Sequence, residues 1–162
     1  MKVRLAASAD IPRALEIYEY AKQFMKQVGN PTQWNGAYPQ ESLLQNDVKL
    51  GWLYVIEDDD HICGVFALTD VSEPVYDAIT EGVWASDTPY GTIHRIAGDG
   101  TQSGLFSLAV DFALQKFSHL RVDTHPDNLP MQKAIAKKGF VKRGVVYVED
   151  GSPRYAYDYL VK

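Results

Sequence analysis

The sequence lacks most of what marks a secreted, membrane-spanning or nucleic-acid-binding protein. Its 162 residues include one cysteine, Cys63, so an internal disulfide and a multi-cysteine zinc site are excluded. No apolar run approaches the roughly 20 residues of a transmembrane helix, and the first residues form no signal-peptide stretch. Basic residues number 16 against 21 acidic ones, which disfavours binding to nucleic acid or to a membrane surface. We therefore expect a cytoplasmic protein.

The chain also lacks repeats, low-complexity tracts and linkers rich in Pro, Gly or Ser. Hydrophobic residues make up 46% of it and charged residues 23%, which is the composition of a folded domain. We expect residues 1–162 to form one domain. Cys63 lies among apolar residues of a predicted strand, which predicts a buried and unreactive thiol.

Hydrophobic periodicity predicts alternating strands and helices along the chain. The predicted strands are 2–6, 52–57, 62–68, 91–98, 120–124, 141–149 and 154–160. The predicted helices are 11–25, 39–48, 105–117 and 126–138, and the stretch 69–90 is expected to be a loop with one helical turn. This order predicts an α/β fold with a central mixed sheet and helices on both faces.

A glycine-containing loop, 98–104, lies between a predicted strand and a predicted helix. Such a loop leaves backbone N–H groups unpaired at the helix N-terminus, where the helix dipole favours negative charge. Gly104 would let a phosphate approach the backbone closely. The loop predicts either a phosphate site or an ordinary turn.

The run from His94 to Ala97, the loop to Gly104, and Asn128 followed later by Gly139-Phe140 resemble the GNAT-type N-acetyltransferases. The order of predicted elements is also that family's. The resemblance implies a mostly antiparallel sheet of about seven strands. It also implies acetyl-CoA as co-substrate, held by the fourth strand and the loop that follows it.

The resemblance implies that eleven residues bind the cofactor. They are Ile96, Ala97, Gly98, Thr101, Gln102, Ser103, Gly104, Leu105, Phe106, Asn128 and Met131. Gly98 is expected to permit a bulge that parts the fourth strand from the fifth. Asn128 is expected both to cap the last helix and to contact the pantetheine arm.

Three positions depart from the family pattern. Thr101 stands where Gln or Arg is usual, and Phe106 where a small residue is usual. Ile135 replaces a tyrosine that serves as acid toward the leaving thiolate in many family members. The backbone contact to phosphate survives these changes because it needs no side chain.

Four residues are candidates for proton transfer, with a structural alternative for each. His94 would act as base, or be a hydrogen-bonded core histidine. His125 and Asp123 are two apart at a strand end, where Asp123 would orient the imidazole or bind the amine as ammonium. Alternatively, the two side chains bond the following turn. Tyr147 would replace the missing acid, or pack in its strand. A metal at His94 and His125 is disfavoured because no third ligand is evident.

Four aromatic residues fall in the segments that wall the acceptor pocket in this family: Trp34, Tyr38, Trp84 and Tyr90. Aromatic rings with carboxylates such as Glu73 or Asp87 would suit a cationic amine. Ordinary loop packing is the alternative.

The resemblance therefore implies an N-acetyltransferase that moves the acetyl group of acetyl-CoA to a primary amine of a small molecule or peptide. The alternatives are a non-catalytic CoA-binding or ligand-sensing module on the same fold and a structural interaction domain. Exposed sheet edges are consistent with a homodimer.

Overall fold

Seven strands, β1 to β7 in chain order, form one sheet in a computed structural model that describes all 162 residues. They span Lys2–Leu5, Leu53–Asp58, His61–Thr69, Gly91–Gly98, His119–Thr124, Val141–Tyr147 and Pro153–Leu160. Their spatial order is β1-β2-β3-β4-β5-β7-β6, and only β4 and β5 are parallel. The expected mixed, mostly antiparallel sheet is confirmed.

Five α-helices, α1 to α5, accompany the sheet. They span Ile11–Gln27, Glu41–Lys49, Pro74–Asp77, Leu105–Leu114 and Leu129–Lys137. The α4 helix ends before Phe117, where it was predicted to end, because Gln115 and Lys116 bond three residues back in a tighter turn. The α5 helix begins at Leu129 rather than at Pro126, because Asn128 is its N-cap.

The helices cover both faces of the sheet, as predicted. The largest apolar cluster joins α4 and α5 to one face, with Val110, Ile135 and Phe66 among its members. A second cluster joins α1 and α2 to the other face, around Ile17 and Leu44. Cys63 is buried in β3, and this burial raises the pKa of its thiol, which keeps it protonated.

The segment 74–90, which includes α3, covers the sheet face beside α1 and α2. Tyr76 packs there on Val146 of β6 and Ala156 of β7. The buried carboxylate of Asp158 anchors the segment by accepting the Ala85 N–H at 2.9 Å. This face thus has two walls, which are α1 with α2 on one side and the segment 74–90 on the other. No helix in the structure combines the length and apolar character needed to cross a membrane.

Candidate active site

The strands β4 and β5 separate soon after they begin. They pair only at Gly91 with Leu120 and at Thr92 with Arg121, although both strands continue beyond these rows. Past Thr92, the β5-facing backbone edge of β4 has no strand partner. The separation opens the sheet at its centre and gives access to unpaired backbone groups from both faces.

A bulge in β4 accompanies this separation, and it lies at Arg95 rather than at Gly98. Ala97 pairs with Val65 and His94 pairs with Ala67, so β4 has one residue more than β3 across this interval. Arg95 has a φ of +51°, which is a left-handed conformation that side chains rarely adopt. The expectation that glycine supplies the bulge was therefore wrong.

Gly98 serves close packing instead. A Cβ at this position would lie 2.5 Å from Cδ1 of Leu105, the first residue of α4. The missing side chain lets the start of α4 sit directly over the end of β4. The loop 98–104 is thereby held against the opening in the sheet.

The N-terminus of α4 presents a run of unpaired donors. Gly104 is its N-cap, with a φ of +76° and no capping side chain. The backbone N–H groups of residues 102–107 have no hydrogen-bond acceptor within the protein. Unpaired N–H groups at a helix N-terminus bind phosphate oxygens, and the helix dipole adds to the attraction. The geometry therefore suits an anion such as pyrophosphate.

A groove of about 900 Å³ runs beside these donors, between α1 and α5. Eight of the residues predicted to bind the cofactor line this groove: Gly98, Gln102, Ser103, Gly104, Leu105, Phe106, Asn128 and Met131. Ile96 and Ala97 lie in the neighbouring apolar clusters instead. The Thr101 hydroxyl donates to Asp99 at 2.6 Å, so it organises the loop.

The α1 helix contributes a wall that the sequence reasoning missed. Tyr20, Phe24 and Val28 are 48%, 46% and 37% exposed and line the groove at successive turns. Their spacing of four residues was a readable signal of a second apolar stripe beside the core-facing one. Lys137, at the end of α5, adds positive charge to the opposite wall, whereas the next residue, Lys138, pairs with Asp111 at 2.8 Å.

We expect Phe24→Ala to weaken acetyl-CoA binding about fivefold. A ligand that covers about 40 Å² of the ring at about 25 cal/mol per Å² gains about 1 kcal/mol. Calorimetric titration would measure the change. Leu50→Ala, which removes another exposed apolar side chain outside the groove, is the control. Equal affinities for wild type and Phe24→Ala would show that the stripe does not contact the ligand.

Asn128 caps α5, as its position predicted. Its Oδ1 accepts the Met131 N–H at 3.2 Å, and its Nδ2 donates to Gln33 Oε1 at 2.9 Å. Gln33 lies in the loop 28–40 between α1 and α2. Asn128 therefore links the groove to this loop, which borders the other side of the opening.

His94, in β4 just before the bulge, is paired with a carboxylate. Its Nε2 lies 2.8 Å from Glu73 Oε1, and this hydrogen bond holds the pKa of Glu73 below its ordinary value. An ionised carboxylate only accepts, so the imidazole proton resides on Nε2 and the Nδ1 lone pair is free. A histidine that is oriented in this way through Nε2 is suited to act as a general base through Nδ1.

Asp123 and His125 are not joined to one another. Asp123 instead accepts the hydroxyl of the buried Tyr76 at 2.6 Å. The expectation that Asp123 orients His125 therefore has no hydrogen bond behind it. Burial and the nearby Asp123 charge raise the pKa of Tyr76, so Tyr76 remains a donor.

His125 has hydrogen-bond partners at both ring nitrogens. Its Nδ1 accepts the Asp127 N–H at 3.0 Å, and its Nε2 lies 3.4 Å from Thr32 Oγ1. Burial and then the positive charge of Arg154 lower its pKa, so the ring is neutral at neutral pH. These contacts match the structural alternative, in which His125 supports the turn after β5.

Known structures share this fold. An acetyltransferase of the GNAT family from Streptococcus agalactiae superposes with a TM-score of 0.91 at 29% identity, covering 99% of this chain and 95% of that one. The chain has the fold of the GNAT superfamily. A putative acetyltransferase from Staphylococcus aureus superposes at 0.73 with 27% identity over 100% of both chains. The resemblance seen in the sequence is confirmed.

A more distant GNAT-fold structure contains ligands. AAC(6')-Ib in complex with paromomycin and acetyl-CoA superposes at a TM-score of 0.69 with 19% identity, covering 98% of this chain and 92% of that one. At this identity the likeness concerns the fold alone. No family model matches the sequence, and no curated protein matches it either.

Two residues matter for the question of which side chain would give a proton to the leaving thiolate. Ile135 is fully buried in the core between α5 and the sheet, so it offers no proton. Tyr147 is half-exposed at the end of β6, paired with Pro153, and lies outside the groove. Its role as the acid remains a prediction.

The aromatic residues divide into two pairs, one on each wall of the sheet face that α1, α2 and the segment 74–90 cover, which is the face expected to bind the acceptor. Trp34 is buried in edge contact with Tyr38, at 6.5 Å between ring centroids. On the other wall, the Arg121 guanidinium lies between Trp84 and Tyr90, 4.1 and 4.0 Å from their ring centroids. The space between Trp84 and Tyr90 is therefore filled by the Arg121 side chain, so these two rings have a packing role.

Arg95, at the bulge, reaches into the first wall. Its Nη2 bonds the carboxylate of Asp47 on α2, and its Nη1 lies 3.4 Å from the Tyr38 hydroxyl. These contacts stabilise Arg95 in its left-handed backbone conformation. Strained backbone that surrounding contacts enforce is frequent at functional sites of folded proteins.

Proposed function

We propose that this chain, as one domain of residues 1–162, is an N-acetyltransferase. It moves the acetyl group of acetyl-CoA directly to a primary amine of a small molecule or peptide. One observation carries the proposal, namely that the unpaired N–H groups of residues 102–107 adjoin a groove beside the opening between β4 and β5. This arrangement supports an anion site next to the break in the sheet.

The residues present fit acetyl-CoA. The donors of residues 102–107 would hold the pyrophosphate, Lys137 would add positive charge, and Tyr20 and Phe24 would cover apolar parts. Bound acetyl-CoA supplies a thioester, whose C–S bond breaks as the C–N bond forms and whose sulfur departs as thiolate.

His94 is the residue best placed to take the proton from the attacking amine. Its free Nδ1 would accept that proton while Glu73 stabilises the resulting imidazolium through Nε2. The bulge at Arg95 sets the direction of this part of β4 beside the opening. Holding both reactants there supplies the rest of the acceleration.

Calorimetric titration with acetyl-CoA tests this proposal. We expect saturable one-site binding that Gly104→Glu weakens at least about tenfold, since a carboxylate among the donors repels phosphate. Gly51→Glu is the matched control, because Gly51 has a φ of +73° against +76° at Gly104 and both have open space. The control should retain wild-type affinity.

Turnover then separates transfer from simple binding. Release of free CoA thiol across a panel of amines would support the transferase. Binding without turnover on that panel would favour the ligand-sensing module. Failure to bind millimolar acetyl-CoA would overturn the proposal.

A further inference from the structure

Arg154, the second residue of β7, is a buried arginine without a carboxylate partner. Its side chain and backbone together are 5% exposed. Its terminal nitrogens donate to neutral oxygens only, which are Ser152 Oγ at 2.8 Å, Pro153 O at 2.9 Å and Gln33 O at 3.3 Å. Arg95 and Arg143, in contrast, pair with the buried carboxylates of Asp47 and Asp158.

A buried charge without a counter-ion carries a desolvation cost that neutral acceptors offset only in part. This cost lowers the pKa of Arg154, mainly through burial. The position would be more stable with an anion beside it. Since the protein supplies none in contact, a bound anion is the natural counter-ion.

Asp123, near the end of β5, has the complementary property. Its carboxylate accepts the Tyr76 hydroxyl at 2.6 Å but pairs with no cation of the protein. Its charge acts on Arg154 without an ion pair between them, because the nearest contact exceeds ion-pair distance. Both charges therefore remain available to a ligand.

The two side chains lie on the same face of the sheet. Asp123 is opposite Ala156 on β7, and Arg154 is two residues before Ala156, so the two are diagonal neighbours. Diagonal positions on antiparallel strands are about 7–8 Å apart. Contacts with Tyr76 and Gln33 place both charges between the walls of the acceptor face.

We propose that the acceptor is an amino acid, or another amine that carries a carboxylate. Its carboxylate would pair with Arg154 and its ammonium with Asp123, before His94 receives the proton of the attacking amine. The planar guanidinium matches two carboxylate oxygens in geometry as well as in charge. This inference deepens the proposed function and rests on it. A polycationic acceptor would instead meet the uncompensated charge of Arg154.

Binding of matched ligands to the protein saturated with CoA tests the inference. The panel consists of the common amino acids, their carboxamides and their decarboxylated amines, each titrated calorimetrically. We expect at least one amino acid to bind about tenfold more tightly than its own amine and carboxamide. Arg154→Gln should remove that preference by weakening the amino acid, without weakening the amine or CoA.

Two further variants separate recognition from folding. Arg154→Lys keeps the charge and should retain part of the preference, even if Arg154→Gln lowers the melting temperature. Asp123→Asn should weaken the amino acid and its amine alike, because both carry the ammonium group.

The outcomes distinguish this inference from the proposed function. Equal binding of amino acids, carboxamides and amines would overturn it, as would equal losses for all three in Arg154→Gln. A clear preference for an amino acid that is never acetylated would support the binding site and contradict acetyl transfer.

Discussion

Glutamine in place of His94 should lower kcat by about 10²–10⁴-fold, the range typical of losing a general base. The substitution removes the Nδ1 lone pair but keeps an amide that can donate to Glu73. The fold and the acetyl-CoA affinity should therefore remain as in the wild type. Steady-state release of CoA thiol with an accepted amine would measure the loss.

A second histidine provides the control for this experiment. His61 also bonds a carboxylate through Nε2, at 2.7 Å from Asp99, but it is exposed at the start of β3 and does not line the groove. We expect His61→Gln to keep the wild-type kcat. An unchanged kcat in His94→Gln would remove His94 from the proposed role and direct attention to a water or to Asp123.

Loss of the Asp47 carboxylate should reduce the free energy of unfolding by about 3–5 kcal/mol. The Asp47 side chain is 2% exposed, and its removal would leave the Arg95 guanidinium buried without a counter-ion. The left-handed backbone of Arg95 would lose part of its support at the same time. Urea unfolding of Asp47→Ala would measure the effect.

Two other variants calibrate that loss. Glu16→Ala breaks an exposed pair with Arg13, so it should cost no more than about 1 kcal/mol. The double variant Asp47→Leu/Arg95→Met should be less destabilised than Asp47→Ala, because no buried charge is left unpaired. A similar loss of unfolding free energy in Glu16→Ala and Asp47→Ala would show that burial does not set the strength of these ion pairs.

Local sequence signals accounted for the elements that build the fold and for the anion site. The strand 91–98 and the glycine loop after it have the bounds that were predicted, because alternation and turn residues act over short distances. Gly104 and Asn128 likewise occupy the helix N-termini that were expected.

The features that the sequence did not predict depend on contacts between residues that are far apart in the chain. The bulge falls on Arg95 of β4, whose side chain bonds Asp47 on α2, a contact that local sequence patterns do not reveal. Arg154 meets Gln33 across 121 residues of chain. Periodicity carries no information about such a pair, so a buried arginine without a counter-ion could be recognised only in the structure.

The position of β7 has a consequence for synthesis on the ribosome. β7 follows β6 in the chain but lies between β5 and β6 in the sheet. Until residues 153–160 have left the exit tunnel, β6 has no partner strand, and β5 is tied to the sheet only by its two rows with β4. The nascent chain therefore exposes two open strand edges until β7 emerges, and such edges promote aggregation.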